Sequence, residues 1–228
     1  MAKKRTIVLS LGGSIIAPDA VHVEFLKKFR GLILDFVKKG NRAIIVCGGG
    51  GTNRTYNHAV LKITRPSHAD LDWLGIAATK LNAELVRVMF GPAAFEKVID
   101  NPTGKIATAK KIIVASGWKP GWSSDYDAVL MAVNFKSREV INLTNIDHVH
   151  NKDPNKFRDA VKLETLTWDQ YLAIVGKKWQ PRMSVPFDPT ASKLAKSKKI
   201  SVRIVNGTKL QNIKKLLADK KVIGTLIK

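Results

Sequence analysis

Three short runs of glycine and hydroxyl residues carry the chemistry that this sequence can do. They are Leu11-Gly12-Gly13-Ser14, Cys47-Gly48-Gly49-Gly50-Gly51, and the longer Ser116-Gly117-Trp118-Lys119-Pro120-Gly121-Trp122-Ser123-Ser124. Glycine lets backbone N–H groups close on an anion with no Cβ in the way. A helix opening behind such a turn adds free donors and a favourable dipole. Phosphate binding is therefore the chemistry that the pattern suggests. Neither common fingerprint is present: G-x-x-x-x-G-K-[ST] is missing, and the run 48–51 lacks the third glycine of G-x-G-x-x-G.

Each turn ends a strand-like apolar run, at residues 6–11, 42–47 and 111–115. The elements around them alternate. Phe25, Leu26, Phe29, Leu32, Ile33, Phe36 and Val37 recur at helical spacing over residues 22–39, and Gly40 closes that helix. Residues 71–90 read as a long helix and 125–134 as a short one. Residues 139–143 read as a strand. Thr167 and Gln170 have capping-box spacing, and Asp188-Pro189 has the form of a helix start. A strand (201–205), a helix (208–218) and a short strand (225–227) close the chain. Such alternation predicts an α/β fold with a mainly parallel sheet, whose ligand crevice lies off the carboxyl ends of the strands.

Composition agrees with a folded globular chain. It has 228 residues, 45% of them hydrophobic. Nothing approaches the roughly 18 apolar residues of a membrane helix, and the basic start lacks a cleavage pattern, so no membrane partner and a cytoplasmic location are expected. The single cysteine, Cys47, lies in an apolar run and reads as a buried, inert thiol. The formal net charge is +21, which attracts anions. Its basic pairs, Lys38-Lys39, Lys110-Lys111, Lys177-Lys178, Lys198-Lys199 and Lys220-Lys221, are spread along the chain. No nucleic-acid module is recognisable, so nucleic acid is not the expected partner.

The motifs become specific when taken in order. After Ser10-Leu11-Gly12-Gly13-Ser14 come Gly48-Gly49-Gly50 with Arg54 and Tyr56, then Asp72-Trp73-Leu74-Gly75-Ile76 running into Thr79-Lys80-Leu81-Asn82-Ala83. The run 117–125 follows, then Asn142-Leu143-Thr144-Asn145-Ile146-Asp147 with Asp153-Pro154. Pro186-Phe187-Asp188-Pro189 with Ala191 and Lys193, and Gly224-Thr225, complete the series. Over nearly the whole chain it resembles the archaeal-type uridylate kinases of the amino acid kinase family.

That resemblance implies a three-layer α/β/α sandwich over residues 1–228. It implies an acceptor lobe over about 1–135 and an ATP lobe over about 136–228. It implies phosphoryl transfer from ATP to UMP with Mg2+, as a step in making pyrimidine nucleotides, by a homohexamer. It also implies roles. Gly12, Gly13 and Ser14 face the transferring group. Gly49, Gly50 and Arg54 hold the UMP phosphate, and Asp72 takes its ribose hydroxyls. Ser123 and Ser124 stand where threonines are usual near the UMP phosphate and base. Thr144, Asn145, Asp147, His150 and Asp153 match the ATP loop. Asp188 lies opposite the phosphates, and Lys193 is the candidate lysine near those of ATP. No protein residue is matched to a metal.

Several positions depart from the resemblance. Ser10 stands where many relatives have a lysine, Gly51 where lysine or serine is common, and Tyr126-Asp127 where small apolar residues are usual. His148 replaces a glycine, a larger change if that position needs φ > 0. His150 replaces a tyrosine. Trp118, Trp122 and Trp179 are expected to pack or to contact another subunit. Lys119 suits either a phosphate or an exposed loop. Asp72 and Asp188 could also be helix N-caps. Two alternative readings stay open: a non-catalytic nucleotide or anion binder, or another kinase of the family. A third, nucleic-acid binding, has only the net charge behind it.

Overall fold

The computed structural model describes residues 4–176 and 185–228; Lys177, Lys178 and Trp179 lie outside them. In chain order the first elements are β1 (Thr6–Leu11), α1 (Gly13–Ile16), α2 (Val23–Lys38), β2 (Arg42–Cys47), α3 (Gly50–Ile63), α4 (His68–Phe90), β3 (Ile112–Ala115) and α5 (Ser124–Asn134). Then come β4 (Glu139–Thr144), β5 (Val149–His150), β6 (Lys162–Leu163), β7 (Thr165–Leu166), α6 (Trp168–Val175), α7 (Pro189–Ser197), β8 (Ser201–Asn206), α8 (Leu210–Leu217) and β9 (Thr225–Ile227).

One seven-stranded sheet has the order β3-β2-β1-β4-β8-β9-β7. Its first five strands are parallel, and β9 runs antiparallel to β8. Strands β1 and β2 are buried from their second residue on, as a parallel sheet covered on both faces requires. Phe25, Phe29, Ile33 and Phe36 of α2, Ala83 and Val86 of α4, and Ile213 of α8 cover one face. Ala128 and Met131 of α5, Tyr171 of α6, and Ala191 and Ala195 of α7 cover the other. This is the expected three-layer α/β/α sandwich.

Helix α4 begins at His68, earlier than the apolar pattern suggests. Ser67 caps it: its Oγ accepts from Asp70 N at 3.1 Å, while the Asp70 carboxylate accepts from Ser67 N at 3.0 Å. Asp72 is therefore inside the helix, which removes the N-cap alternative for it. Asp188 does cap α7, accepting from Ala191 N at 3.0 Å and from Thr190 N. The Thr167–Gln170 capping box is present as read. No helix of the described residues is long and apolar enough to cross a membrane.

Candidate active site

Two of the glycine turns meet backbone to backbone where β1 and β2 end side by side. A Cβ on Gly13 would lie 2.1 Å from Gly50 N, and one on Gly50 would lie 2.2 Å from the Gly13 carbonyl. Gly50 also has φ +59°, a region that glycine enters at little cost. No larger residue fits at either point without moving the turns apart. Gly12 N donates to Leu143 O at 3.0 Å and Gly207 N to Thr144 O at 2.7 Å. These bonds tie the first turn and the 207 turn to the end of β4, where Thr144 and Asn145 begin the next loop.

Helix α4 holds the other turns. Asn82 Nδ2 donates to Gly48 O at 2.8 Å and Gly49 O at 3.1 Å. Thr79 Oγ1 accepts from Gly117 N at 2.8 Å, and Asp72 accepts from Gly121 N at 2.8 Å. Asp72, Thr79 and Asn82 thus line up the second and third turns from one helix. The resemblance gives Thr79 and Asn82 no role of their own. Their signal in sequence was weak, because the same helix also carries the polar Asp72, Lys80, Glu84 and Arg87.

Behind the turns lies a buried acidic network that sequence reasoning missed. Ser10, on β1, donates its hydroxyl to Asp125 Oδ1 at 3.0 Å, and Asp188 N donates to Asp125 Oδ2 at 3.2 Å. Burial, and then the neighbouring Asp188 carboxylate, push the Asp125 carboxyl up to about 7. Asp127 accepts from Trp118 N at 3.2 Å. Burial pushes it also up to about 7, and its Oδ1 is buried with no hydrogen bond. Tyr171 braces the same corner, donating to Phe187 O and accepting from Phe187 N, each at 2.7 Å. The short Ser10 hydroxyl is a neutral donor, so it brings the pair of carboxylates a hydrogen bond and no positive charge.

Other candidates have local roles. Ser123 caps α5 by accepting from Tyr126 N, and Ser124 is the first residue of that helix. Arg54 is exposed on α3 and donates to Pro18 O at 2.9 Å. Lys193 is exposed on α7, little more than a turn beyond Asp188. His150 pairs with Lys162 in the β5–β6 hairpin, and Asp153 accepts from Asn155 N in a turn. Those bonds hold His150 and Asp153 within their own hairpin and turn. Asp147 pairs with Lys209 at 2.6 Å, which holds its carboxyl below the usual range. His148 is absent from the residues with positive φ, so replacing a glycine there brings no backbone strain. Its Nδ1 is buried without a hydrogen bond.

Trp118 and Trp122 pack edge to face at 4.9 Å, and Trp122 packs on Tyr126 at 4.3 Å. The Lys119 ammonium sits 4.3 Å and 4.2 Å from the two indole centroids. Lys119 is thus a cation–π partner within the turn. Cys47 is fully buried, and desolvation pushes its thiol far up, as an inert cysteine requires.

Glycine turns at the carboxyl edge of a parallel sheet, aligned from α4, define a phosphate-handling α/β protein. The model of the amino acid kinase family matches residues 5–206. The chain is 31% identical to the uridylate kinase of Thermoplasma volcanium, with 97% of each protein covered. It is 32% identical to that of Archaeoglobus fulgidus, covering 97% of this chain and 99% of that protein. The crystal structure of the A. fulgidus enzyme superposes with a TM-score of 0.82 at 31% identity over 99% of this chain and all of that one. The UMP kinase of Bacillus anthracis, at 19% identity and a TM-score of 0.76, shares the fold. The chain belongs to the amino acid kinase family.

Proposed function

We propose that the protein is a uridylate kinase, transferring the γ-phosphoryl group of ATP to UMP and releasing UDP and ADP, in the cytoplasm and as a step toward pyrimidine nucleotides. The observation that carries this reading is the junction of the first two glycine turns, in a chain like archaeal uridylate kinases over almost its full length. A junction of that kind can hold two phosphates close together, which transfer between them needs.

The acceptor oxygen of UMP is already ionised, so no general base is required. Catalysis then consists of alignment and neutralisation of shifting charge. In this reading Gly12, whose N–H is held by Leu143 O, lets the phosphoryl group approach without a Cβ in the way, and Gly13 and Ser14 donate to it as its bond to the ADP oxygen breaks and its bond to the UMP oxygen forms. Gly49, Gly50 and Arg54 hold the UMP phosphate, Arg54 by exchanging its bond to Pro18 O for bidentate contact. Asp72 accepts from the ribose, with Ser123 and Ser124 beside it. Thr144, Asn145, His150 and Asp153 bind ATP, while Lys193 and the α7 terminus capped by Asp188 attend its phosphates. Residues up to about 135 then form the acceptor lobe and the remainder the ATP lobe. The homohexamer belongs to the same reading.

Among the described residues no group of three or more His, Cys, Asp or Glu could hold a metal ion. Mg2+ fits as an ion carried on ATP, with Asp125 and Asp188 as its protein carboxylates, since Mg2+ commonly takes one or two carboxylates plus substrate phosphates. When bound it neutralises phosphate charge.

The test is a coupled assay with ATP, Mg2+ and each nucleoside monophosphate in turn. Turnover selective for UMP is expected. Binding of UMP and ATP without turnover would mark a non-catalytic binder instead.

A further inference from the structure

The five parallel strands β3, β2, β1, β4 and β8 start along one edge of the sheet, opposite the glycine turns. A basic residue stands at or just before every one of those starts. Lys110 and Lys111 precede β3, Arg42 opens β2, and Lys4 and Arg5 precede β1. Lys136 and Arg138 precede β4, and Lys198 and Lys199 precede β8. Neighbouring strands are about 4.8 Å apart, so the row spans roughly 19 Å. Crossover helices α5 and α7 also end at this edge, and the negative ends of their dipoles favour cations there.

The row deepens into a groove of about 470 Å³ where α5 and α7 end. Lys136, Arg138, Lys198 and Lys199 line it. All four are exposed, and none forms an ion pair with a described residue. Both helices end alike. Ser137 N bonds Ala132 O and Ile200 N bonds Ala195 O, which leaves Lys136 at φ +54° and Lys199 at φ +53°. Glycine is the usual residue at such positions, and a side chain there costs about 1 kcal/mol. Two lysines therefore hold their charge here against conformational preference. Two acids at this edge are already matched, Glu139 by Arg203 at 2.9 Å and Asp219 by Arg5 at 3.6 Å.

We propose that this edge is a nucleic-acid interface that grips the phosphate backbone without reading bases. A row of roughly 19 Å runs along about six base steps of a duplex at an axial rise of ~3.4 Å each, within reach of those backbone phosphates that face the edge. The aromatic at this edge, Phe135, is half-buried beneath the Arg42 guanidinium, so it offers no open face for a base to stack on. A second copy of this chain would bring like charges together. In the sequence, which has no nucleic-acid motif, only the net charge of +21 pointed toward nucleic acid, with no place on the molecule for it. Strand order is what assembles the site.

The test is fluorescence anisotropy of the full chain with a labelled duplex of about 20 base pairs, over a salt range of roughly 50–200 mM. Binding should weaken steeply with salt. Replacing Lys136, Arg138, Lys198 and Lys199 together by Gln should lower affinity at least about tenfold at the lower salt. It should also reduce the log–log salt slope by about 3–4, at ~0.9 per lost contact. UMP phosphorylation and the melting temperature should stay near wild type, and the single variants Arg138→Gln and Lys198→Gln give the same signs if the quadruple variant fails to fold. Absence of duplex binding at the lowest salt, or unchanged affinity and slope in the variants, would overturn the proposal. So would tighter binding to phosphatidylserine-rich vesicles than to the duplex at equal salt.

Discussion

The carboxyl and amino edges of one sheet meet anions in opposite ways. At the carboxyl edge, backbone amides are fixed by glycines that cannot grow a Cβ, and α4 side chains buried at Thr79 and Asn82 hold the turns. At the amino edge, lysines and arginines stand in a row, all of them exposed but the half-buried Arg5 and Arg42. Fixed donors in a low-dielectric setting are strong and selective. Mobile surface charges are individually weak and screened by salt, so they act only in number. The same fold therefore offers one site that suits a defined small ligand and one that suits an extended chain. Salt should separate the two, leaving the first largely intact.

The largest effect that could break this comparison comes from Gly13→Ala. The added carbon would meet Gly50 N at 2.1 Å, so both turns must shift. Since a misplacement of about 1 Å can cost ~10²-fold in rate, kcat/KM for UMP should fall by that much or more while circular dichroism stays native. Arg54→Ala comes next. Loss of a charge-assisted phosphate contact should weaken UMP binding roughly 10- to 100-fold by calorimetry, whereas Lys193→Ala should act mainly on kcat. Unchanged UMP affinity in Arg54→Ala would remove that arginine from the site.

A smaller effect concerns the buried carboxyls. Asp125 and Asp127 are raised to about 7, against about 4 in an unfolded chain. The folded chain therefore binds protons that the unfolded one releases. Their contribution to stability is complete below about pH 4 and is lost as pH rises through about 7. The melting midpoint should drop by at least about 3 °C between roughly pH 5 and pH 8. Asp127→Asn, which keeps an acceptor for Trp118 N, should flatten that dependence.

The smallest effect sharpens the other side of the comparison. Lys136→Gly and Lys199→Gly each relieve a left-handed backbone and should raise stability by about 0.5–1 kcal/mol in urea. A loss of stability on either change would show that the lysine contributes more than its conformation costs.

Much of this was legible in the sequence. The apolar runs that end in glycine gave β1, β2 and their turns. The apolar spacing from Phe25 to Val37 gave α2, and Thr167 with Gln170 gave the start of α6. The Ser67–Asp70 box was equally readable, but the apolar pattern that begins at Leu71 masked it and left Asp72 looking like a cap. The Ser10–Asp125–Asp188 network was not legible, because its bonds link residues 115 and 63 positions apart. No local rule pairs a strand serine with two helix-start aspartates. The basic pairs were visible one at a time. Their alignment depends on strand order, which places β3 beside β2, β1 between β2 and β4, and β8 next to β4.

The most direct test of the central claim follows the phosphorus atom itself. With γ-labelled ATP, Mg2+ and UMP, label should appear in UDP, and this transfer should collapse in Gly13→Ala while the duplex-binding edge is unaffected. Label released only as inorganic phosphate, or transfer to UDP that is undiminished when Gly13 gains a Cβ, would contradict the account.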